Sequence, residues 1–346
     1  MSKIGLGVVG VGTMGKHHAE NVRYRIPEAQ LVAVADADGD RARRVSSELE
    51  VAHYYDSPAG ILERKDVQAV VIASPAKFHA SHIQACARAG KDILCEKPMA
   101  LTLEAADAAL ETVAEAGVIL QIGHMRRYDP AYADAKRRIE AGEIGDPIIF
   151  KAVGRDPELP PPIYFQSGSN GMLFLDSTIH EFDLARWLMN DEIVEVQSFG
   201  TLRGFPELAQ YGDLAAGVVN LRFARGGIGN AESFRQATYG YDVRTEIVGS
   251  RGTLCIGRMR KTPQLVLTQG GASHQVVEHF LARFAEAYLS ELRDFVQTVQ
   301  KRKIPGVTGQ DGRRALAVAL AAQRSYQESC PVAVPGDSGR VQKSAP

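Results

Sequence analysis

Apolar residues in the first third of the chain fall into short runs, and amphipathic stretches long enough for helices separate the runs. This alternation is typical of parallel strands joined by crossover helices. The predicted strands cover residues 4–9, 31–35, 69–73, 92–95 and 119–122. The stretch after Thr102 carries an apolar stripe and ends at Gly117, as expected of a helix with a left-handed C-terminus. Residues 1–123 are therefore predicted to form a doubly wound α/β domain.

The pattern changes beyond Gly123. Helices are predicted over residues 132–141, 177–190, 281–301 and 311–327, a strand over 147–153 and several strands between 193 and 269. Val219, Leu221 and Phe223 alternate with a second set of side chains, as in a sheet with one packed face. We predict a second, α+β domain over residues 124–335. The small, polar segment 336–346 is predicted to fray.

Composition narrows the class of protein. The chain has 346 residues, of which 45% are apolar and 23% charged, which is enough for two domains with their own cores. Its 40 Lys and Arg residues balance 41 Asp and Glu, so no net field attracts nucleic acid or an anionic membrane. There is no secretory signal, no run of ~20 apolar residues and no C-x-x-C spacing. We expect a cytoplasmic protein with reduced thiols and no membrane or nucleic-acid partner.

A glycine-rich turn follows the first predicted strand. The segment Gly10-Val11-Gly12-Thr13-Met14-Gly15 has the pattern G-x-G-x-x-G and precedes a predicted helix. Such glycines allow a tight turn and close approach of the backbone to a pyrophosphate, while the helix N-terminus offers free N–H groups. Asp36 follows the second strand, about 20 residues further on, where an acid binds the ribose diol of a dinucleotide. The alternative is a structural turn followed by a surface aspartate.

Asp36 also bears on the choice of cofactor. Its charge would repel a 2′-phosphate, so NAD is favoured over NADP. Three arginines come soon afterwards and could soften this preference, which leaves NADP as a secondary cofactor: Arg41, Arg43 and Arg44. The pair His17-His18 suggests a metal site, but adjacent helical residues point in different directions. No metal is therefore expected.

Lys97 lies between Glu96 and Pro98, directly after the predicted strand 92–95. Ligands of open α/β sheets bind beyond the carboxyl ends of the strands. Pro98 restricts the backbone there, and Glu96 could hold the ammonium group. The alternative is a solvated surface lysine. The position makes Lys97 a candidate catalytic group.

Asp176, His180 and Asp183 have spacings of four and three in or beside the predicted helix 177–190. Such spacings put side chains on one helical face, so carboxylates could orient the imidazole. Alternatively, Asp176 only caps the helix and His180 is a satisfied core residue. Oxidation of a secondary alcohol by a nicotinamide needs a base for the hydroxyl proton and a group that stabilises the developing alkoxide. His180 suits the first role and Lys97 the second.

Together, the glycine turn with Asp36, the segment Glu96-Lys97-Pro98 and the pair Asp176-x-x-x-His180 resemble the glucose-fructose oxidoreductase, inositol dehydrogenase and MocA family. The similarity runs from residue 3 to about residue 333. Longer segments resemble its inositol dehydrogenase branch: Met125-Arg126-Arg127-Tyr128-Asp129-Pro130, Gly154-Arg155-Asp156-Pro157, Thr178-Ile179-His180-Glu181-Phe182-Asp183 and Tyr239-Gly240-Tyr241-Asp242.

This resemblance implies a Rossmann domain with a doubly wound parallel sheet, followed by an α+β domain with a large open, mostly antiparallel sheet. In relatives that sheet often forms dimer and tetramer interfaces, so a homotetramer or another homo-oligomer is expected. A cis bond before Pro98 is also implied. The resemblance assigns Lys97, Asp176 and His180 as the catalytic trio, with His180 as the general base.

The implied ligand contacts form two sets. The cofactor set is Gly10, Gly12, Thr13, Met14, Gly15, Asp36, Ser74, Pro75, His79, Glu96 and Lys97. The substrate set is Lys97, Arg127, Asp156, Asp176, His180, Tyr239 and Tyr241. These polar groups, with Arg244 beside them, suit a ring with many hydroxyls. No phosphate-binding cluster is recognised in the second domain, which favours a neutral polyol or sugar.

The expected activity is NAD-dependent oxidation of a secondary hydroxyl of inositol, or of a related cyclic polyol, to the ketone. Gly154 and the segment Ser169-Asn170-Gly171 depart from the usual pattern and leave the polyol open. One alternative is an aldose or anhydrosugar dehydrogenase with the same trio. An alternative of another class is a non-catalytic, dinucleotide-binding regulator.

Overall fold

The computed structural model describes residues 3–166, 172–257 and 260–336. The segment Ser169-Asn170-Gly171 and residues 337–346 of the predicted tail lie outside these described residues. None of the helices within the described ranges is long and apolar enough to cross a membrane.

The first domain is a parallel sheet with helices on both faces. Its elements are β1 (Ile4–Val9), α1 (Thr13–Arg25), β2 (Ala29–Ala35), α2 (Gly39–Glu48), β3 (His53–Tyr55), α3 (Ala59–Leu62), β4 (Ala69–Ile72), α4 (His79–Arg88), β5 (Asp92–Glu96), α5 (Leu103–Ala116) and β6 (Leu120–Gly123). The strand order β3-β2-β1-β4-β5-β6 is that of a doubly wound Rossmann sheet. The predicted α/β fold is confirmed. The strands are all parallel, and the order in which they are added to the sheet reverses between β1 and β4.

One strand of the first domain was not predicted from the sequence. β3 has three residues, none of them fully buried, and it pairs only with β2 at the edge of the sheet. So short and partly exposed a strand leaves no apolar run to recognise. The helix predicted from Thr102 is confirmed: Thr102 caps α5 by accepting a hydrogen bond from Ala105 N, and Gly117 ends it with φ +64°.

The second domain is built around an open sheet. Its elements are α6 (Pro130–Glu140), β7 (Pro147–Arg155), α7 (Pro162–Gln166), α8 (Leu173–Asp176), α9 (Ile179–Met189), β8 (Ile193–Thr201), β9 (Ala216–Phe223), β10 (Ile228–Phe234), β11 (Asp242–Gly249), β12 (Thr253–Gly257), β13 (Val266–Thr268), β14 (Gly271–Ser273), α10 (Phe280–Lys301), α11 (Gly309–Glu328) and β15 (Val332–Ala333). The order is β12-β11-β7-β10-β9-β8-β15, and only β7 and β10 pair in parallel among these described strands. The predicted mostly antiparallel sheet is confirmed.

The two faces of this sheet differ. On β9, Val219 and Leu221 are buried, whereas Val218 on the opposite face is 36% exposed. Phe199 of β8 pairs with Val218 and is 59% exposed. Helices α9 and α11 pack on the buried side. The face that carries Phe199 and Val218 is left open.

The C-terminal helices bind the two domains together. Leu292 and Phe295 of α10 belong to the same apolar cluster as Val8 and Val34 of the first sheet. Helix α10 therefore completes the core of the first domain, although it follows the second sheet in sequence. The domain limits at 123/124 and 335/336 stay predictions.

Candidate active site

The glycine turn joins β1 to α1 and is shaped by close packing. Gly10 has φ +82°, and a Cβ there would lie 2.5 Å from Ser74 N. A Cβ on Gly15 would collide with the carbonyl oxygen of Gly10. At Gly12, by contrast, no described atom lies within 4 Å of a Cβ. Gly10 and Gly15 are therefore required by the protein itself, while Gly12 keeps open the space in which a pyrophosphate would approach the N-terminus of α1.

Asp36, just after β2, is 8% exposed and tied to this turn. Its Oδ2 accepts a hydrogen bond of 2.8 Å from Val11 N. Arg41 Nη1 lies 3.2 Å from both carboxylate oxygens. Arg43 pairs with Asp40 and Arg44 with Glu48 instead. Of the three arginines singled out in the sequence, only Arg41 touches Asp36.

The turn after β4 adjoins the glycine turn and contains Ser74 and Pro75. Ser74 Oγ lies 3.0 Å from His82 Nδ1. His79 is 2% exposed, and both of its ring nitrogens face backbone carbonyl oxygens, of Ser74 at 2.6 Å and of Pro98 at 2.8 Å. The ring nitrogens of His79 are therefore occupied within the protein, and this histidine joins two turns at the edge of the sheet.

Lys97 leaves the fully buried strand β5 at the same edge. The Lys97–Pro98 bond is cis, as the resemblance implied. Lys97 Nζ donates to the backbone oxygen of Asp176 at 2.5 Å and lies 3.6 Å from Asp176 Oδ1. The interpretation that Glu96 holds the ammonium is wrong, because its carboxylate faces His18, with Oε1 2.7 Å from Nε2. Lys97 is thus held by the second domain.

Asp176 is the last residue of α8 and is surrounded by donors. Its Oδ2 accepts a hydrogen bond of 3.0 Å from Arg235 Nη1, and its Oδ1 one of 2.7 Å from the hydroxyl of Tyr164. The buried Arg235 also donates to Asp213 at 2.7 Å. Burial raises the pKa of Asp176, but the charges of Lys97 and Arg235 outweigh it and hold the pKa below its usual value. Asp176 is ionised and fixes the Lys97 ammonium.

His180 lies on α9 and is 8% exposed. Its Nδ1 is buried and has no hydrogen-bond partner among the described residues. Burial, together with the positive charges of Arg126 and Lys97, lowers the pKa of His180 well below its ordinary value. The ring is therefore neutral near physiological pH and can accept a proton.

Two details of the predicted helix 177–190 are wrong. The helix begins only at Ile179, and Asp176 ends the separate helix α8, so Asp176 and His180 lie on different helices. Neither Asp176 nor Asp183 bonds the imidazole. The alternative that Asp176 only caps the helix fails as well, since its carboxylate bonds Tyr164 and Arg235 and lies near Lys97, and Thr178, the N-cap of α9, makes no side-chain cap. Contacts with distant strands override the helical spacing here.

Two of the predicted substrate residues, Asp156 and Tyr241, interact electrostatically with each other, and Asp156 also interacts with Asp176 and Lys97 of the trio. Burial and the Asp176 carboxylate raise the pKa of Asp156 to about 6. No hydrogen bond to its carboxylate is seen from the described residues. Tyr241 is 5% exposed and packs edge-on against Phe284. Asp156 is thus a partly buried acceptor beside Asp176.

Arg127 and Tyr239 occupy different surroundings. Arg127 donates to Asp183 through Nε at 2.8 Å and Nη2 at 2.6 Å, and to Asp311 at 3.2 Å. Tyr239 is 47% exposed, and its hydroxyl donates to Asp242 Oδ2 at 2.8 Å. Arg244 is likewise held by Asp242. Arg127 is hydrogen-bonded to Asp183 on α9, the helix that carries His180, while Tyr239 lies at the solvent-exposed edge of the candidate site.

Some site residues were missed by the sequence analysis. Arg126 is buried and ion-paired with Glu181, and a Cβ on Gly154 would lie 2.6 Å from Glu181 Oε1. The small residue at 154, noted as a departure, makes room for this carboxylate. Arg126 stood inside a recognised segment, so its role could have been suspected. Arg235 and Tyr164 carried no local signal.

The described residues contain no group of three or more His, Cys, Asp or Glu side chains placed to hold a metal ion. His17 and His18 do not act together: His17 Nε2 bonds Asn21 Nδ2 at 3.1 Å, and His18 bonds Glu96.

Comparison with known proteins agrees with this geometry. Residues 4–124 match a family model described as an oxidoreductase family with an NAD-binding Rossmann fold, and residues 132–255 match the GFO/IDH/MocA C-terminal domain. The chain belongs to the GFO/IDH/MocA oxidoreductase family. The predicted family, the oxidoreductase class and the NAD cofactor are confirmed.

Relatives within the GFO/IDH/MocA family cover nearly the whole chain. The scyllo-inositol 2-dehydrogenase (NAD(+)) of Bacillus subtilis is 40% identical and covers 94% of each chain. The myo-inositol 2-dehydrogenase of Thermotoga maritima is 38% identical over 93% of this chain and 96% of its own. The structure of scyllo-inositol dehydrogenase from Lactobacillus casei, with bound NAD(H) and scyllo-inositol, superimposes with a TM-score of 0.91 at 31% identity, covering 96% of this chain and 99% of that one.

Proposed function

We propose that the protein oxidises a secondary hydroxyl of inositol, or of a closely related cyclic polyol, to a ketone with NAD. The observation that carries this proposal is the contact of Lys97 with Asp176, beside the neutral His180, at the edge of the sheet that also bears the glycine turn. The relatives named inositol 2-dehydrogenases support the substrate class.

The residues present fit a dinucleotide. The space at Gly12 is open, and Asp36 is anchored beside the turn as an acceptor for ribose hydroxyls. The proposed contacts also include Thr13, Met14 and the turn at Ser74 and Pro75. NAD, when bound, supplies a nicotinamide C4 that accepts the hydride from the alcohol carbon.

Each member of the trio has a distinct role in this proposal. Lys97 donates a hydrogen bond to the reacting hydroxyl oxygen and stabilises the negative charge that develops there. Asp176 holds the ammonium in place. His180 accepts the hydroxyl proton, because its depressed pKa keeps a ring nitrogen available.

The proposed substrate contacts follow the surroundings of each residue. Asp156 and Tyr241 bind ring hydroxyls directly, with the Asp156 carboxylate as acceptor. Arg127 acts through Asp183 on the helix of His180, and Tyr239 closes the rim. A site that hydrogen-bonds several hydroxyls rejects analogues that lack them, since the buried polar groups are then left unpaired.

We further propose that the protein works as a homo-oligomer, with a homotetramer as the complete assembly, and that subunits meet through the open face at Phe199 and Val218.

We also propose a cytoplasmic location. The four cysteines are unpaired, which suits the reducing cytoplasm.

The function is tested with a panel of NAD or NADP and myo-inositol, scyllo-inositol, glucose and an anhydrosugar, with absorbance of the reduced nicotinamide as readout. We expect turnover with NAD and an inositol. Turnover with glucose or the anhydrosugar alone would move the substrate to the aldose class. Silence across the panel, with NAD still bound, would contradict an enzyme and favour the regulator.

A further inference from the structure

The segment that carries Lys97 is held on both sides by histidines of the first domain. Before Lys97, the Glu96 carboxylate bonds the fully buried His18 of α1 at 2.7 Å. After Lys97, the Pro98 carbonyl lies 2.8 Å from Nδ1 of His79, the first residue of α4. The residues on either side of Lys97 are thus hydrogen-bonded to the helices that follow β1 and β4.

His79 has an unusual set of partners. Its Nε2 lies 2.6 Å from Ser74 O, and its Nδ1 lies 2.8 Å from Pro98 O. Carbonyl oxygens only accept hydrogen bonds, and a neutral imidazole has a single N–H. Both contacts are hydrogen bonds only when both nitrogens carry a proton. A neutral ring would point a lone pair at a carbonyl oxygen in a site that is 2% exposed.

The charges around His79 act in both directions. Burial, with a further contribution from the Lys97 charge, lowers the pKa of His79 below its ordinary value, and the two carbonyl oxygens and the Glu96 carboxylate offset only part of this shift. His82 is a titratable neighbour on the same helix. Burial lowers the pKa of His82, and the charge of His79 lowers it further. Burial thus favours the neutral ring, whereas the geometry favours the doubly protonated one, because no tautomer of the neutral ring satisfies both short contacts.

We propose that His79 is a positioning residue that acts as an imidazolium brace between Ser74 O and Pro98 O. The brace joins the turn on the cofactor side to the residue that follows Lys97. Ser74 in turn packs against Gly10, where a Cβ would lie 2.5 Å from Ser74 N. The glycine turn, Ser74, His79 and Lys97 therefore form one connected unit, and the placement of the ammonium depends on the turn that faces the cofactor.

The charge state is tested without turnover. The full-length protein is labelled with ¹⁵N-histidine, and the ring nitrogens are recorded near neutral pH. The signals of His79 are assigned by their disappearance in His79→Gln. We expect both nitrogens of His79 to be protonated. A single protonated nitrogen would overturn the proposal. This result holds whether or not the protein oxidises a polyol.

The positioning role is tested by kinetics, and this arm rests on the proposed function. His79→Gln keeps an N–H donor for one carbonyl, and His79→Phe keeps none. We expect kcat to fall by roughly tenfold to a hundredfold in the Phe variant and by less in the Gln variant, because small misplacements of a catalytic group are costly. The affinity for NAD should change much less than kcat. His53→Phe, on the edge strand β3, is the matched control and should retain wild-type kcat.

A His79→Phe protein with wild-type kcat per folded molecule would contradict the positioning role. Should this variant fail to fold, His79→Gln and the nitrogen spectrum decide. If wild-type protein shows no turnover with any polyol, the proposed function fails, while the spectrum still tests the brace.

Discussion

At the scale of single residues, Asp176 is where the charges of the site meet. Lys97 and Arg235 approach its carboxylate from two domains, and Tyr164 adds a hydrogen bond. A buried carboxylate is stable only when it is paired in this way. Because Asp176 is committed to these partners, it fixes the ammonium of Lys97, and in the proposed mechanism His180 accepts the proton.

Asp156 gives the site a pH dependence. Burial and the Asp176 charge raise its pKa to about 6, so the carboxylate is protonated below that pH and ionised above it. In the proposed function the ionised form accepts hydrogen bonds from substrate hydroxyls, so kcat/KM should rise as the pH rises through about 6. Asp156→Asn should remove this limb and lower kcat/KM roughly tenfold or more at neutral pH.

The matched control is Asp146→Asn, an exposed carboxylate ahead of β7. It should reproduce the wild-type profile. A limb that persists in Asp156→Asn would assign the titration to another group.

We expect Asp36 and Arg41 together to set the preference for NAD over NADP. Asp36→Ala should weaken use of NAD and improve use of NADP, because it removes the repulsive carboxylate and frees Arg41 for a 2′-phosphate. The double variant Asp36→Ala/Arg41→Ala should lose the gain with NADP. The measurement is the ratio of kcat/KM for the two cofactors. An unchanged ratio in Asp36→Ala would count against the ribose contact.

At the scale of elements, two glycines of the glycine turn have different tasks: Gly15 is needed for packing, and Gly12 is proposed to be needed for NAD binding. Gly15→Ala should destabilise the protein without ligand, because the methyl group meets the Gly10 carbonyl. Gly12→Ala should leave the free energy of unfolding nearly unchanged, since no described atom is near, but should weaken NAD binding. Denaturant unfolding and NAD titration measure the two effects. Equal loss of stability in both variants would refute the distinction.

The turn and Lys97 could be predicted from the sequence because their signals are local. Apolar runs fix the ends of β1 and β5, and the residues that follow must lie at one edge of the sheet. The relation of Asp176 to His180 could not be predicted. Asp176, at the end of α8, is held by Arg235, which is far away in sequence, and helical spacing cannot reveal such a contact. Most of the fold could be predicted, but the distant residues that hold the trio in place, such as Arg235 and Tyr164, could not.

At the scale of the molecule, the open sheet leaves apolar side chains exposed. Phe199 and Val218 form a cross-strand pair on that face, and Ile228 is 54% exposed. Exposed apolar side chains on a sheet face that no described helix covers suit an interface with another chain. Phe199→Glu should therefore reduce the mass of the assembly measured by light scattering. Ile304→Glu, at a position that is 85% exposed in a loop, is the control and should keep the wild-type mass. An unchanged mass in Phe199→Glu would contradict this interface.

The trio is assembled from both domains: Lys97 comes from the first sheet, and Asp176 and His180 from the second domain. The central claim is that a hydride passes from a ring carbon of the polyol to NAD, while this trio holds the reacting hydroxyl and accepts its proton. The direct test uses inositol deuterated at its ring carbons, with wild-type protein and Lys97→Ala. We predict deuterium at C4 of the reduced nicotinamide and a loss of turnover of roughly 10²-fold or more in Lys97→Ala, with NAD affinity retained. Reduced cofactor without deuterium, or normal turnover in Lys97→Ala, would contradict the account.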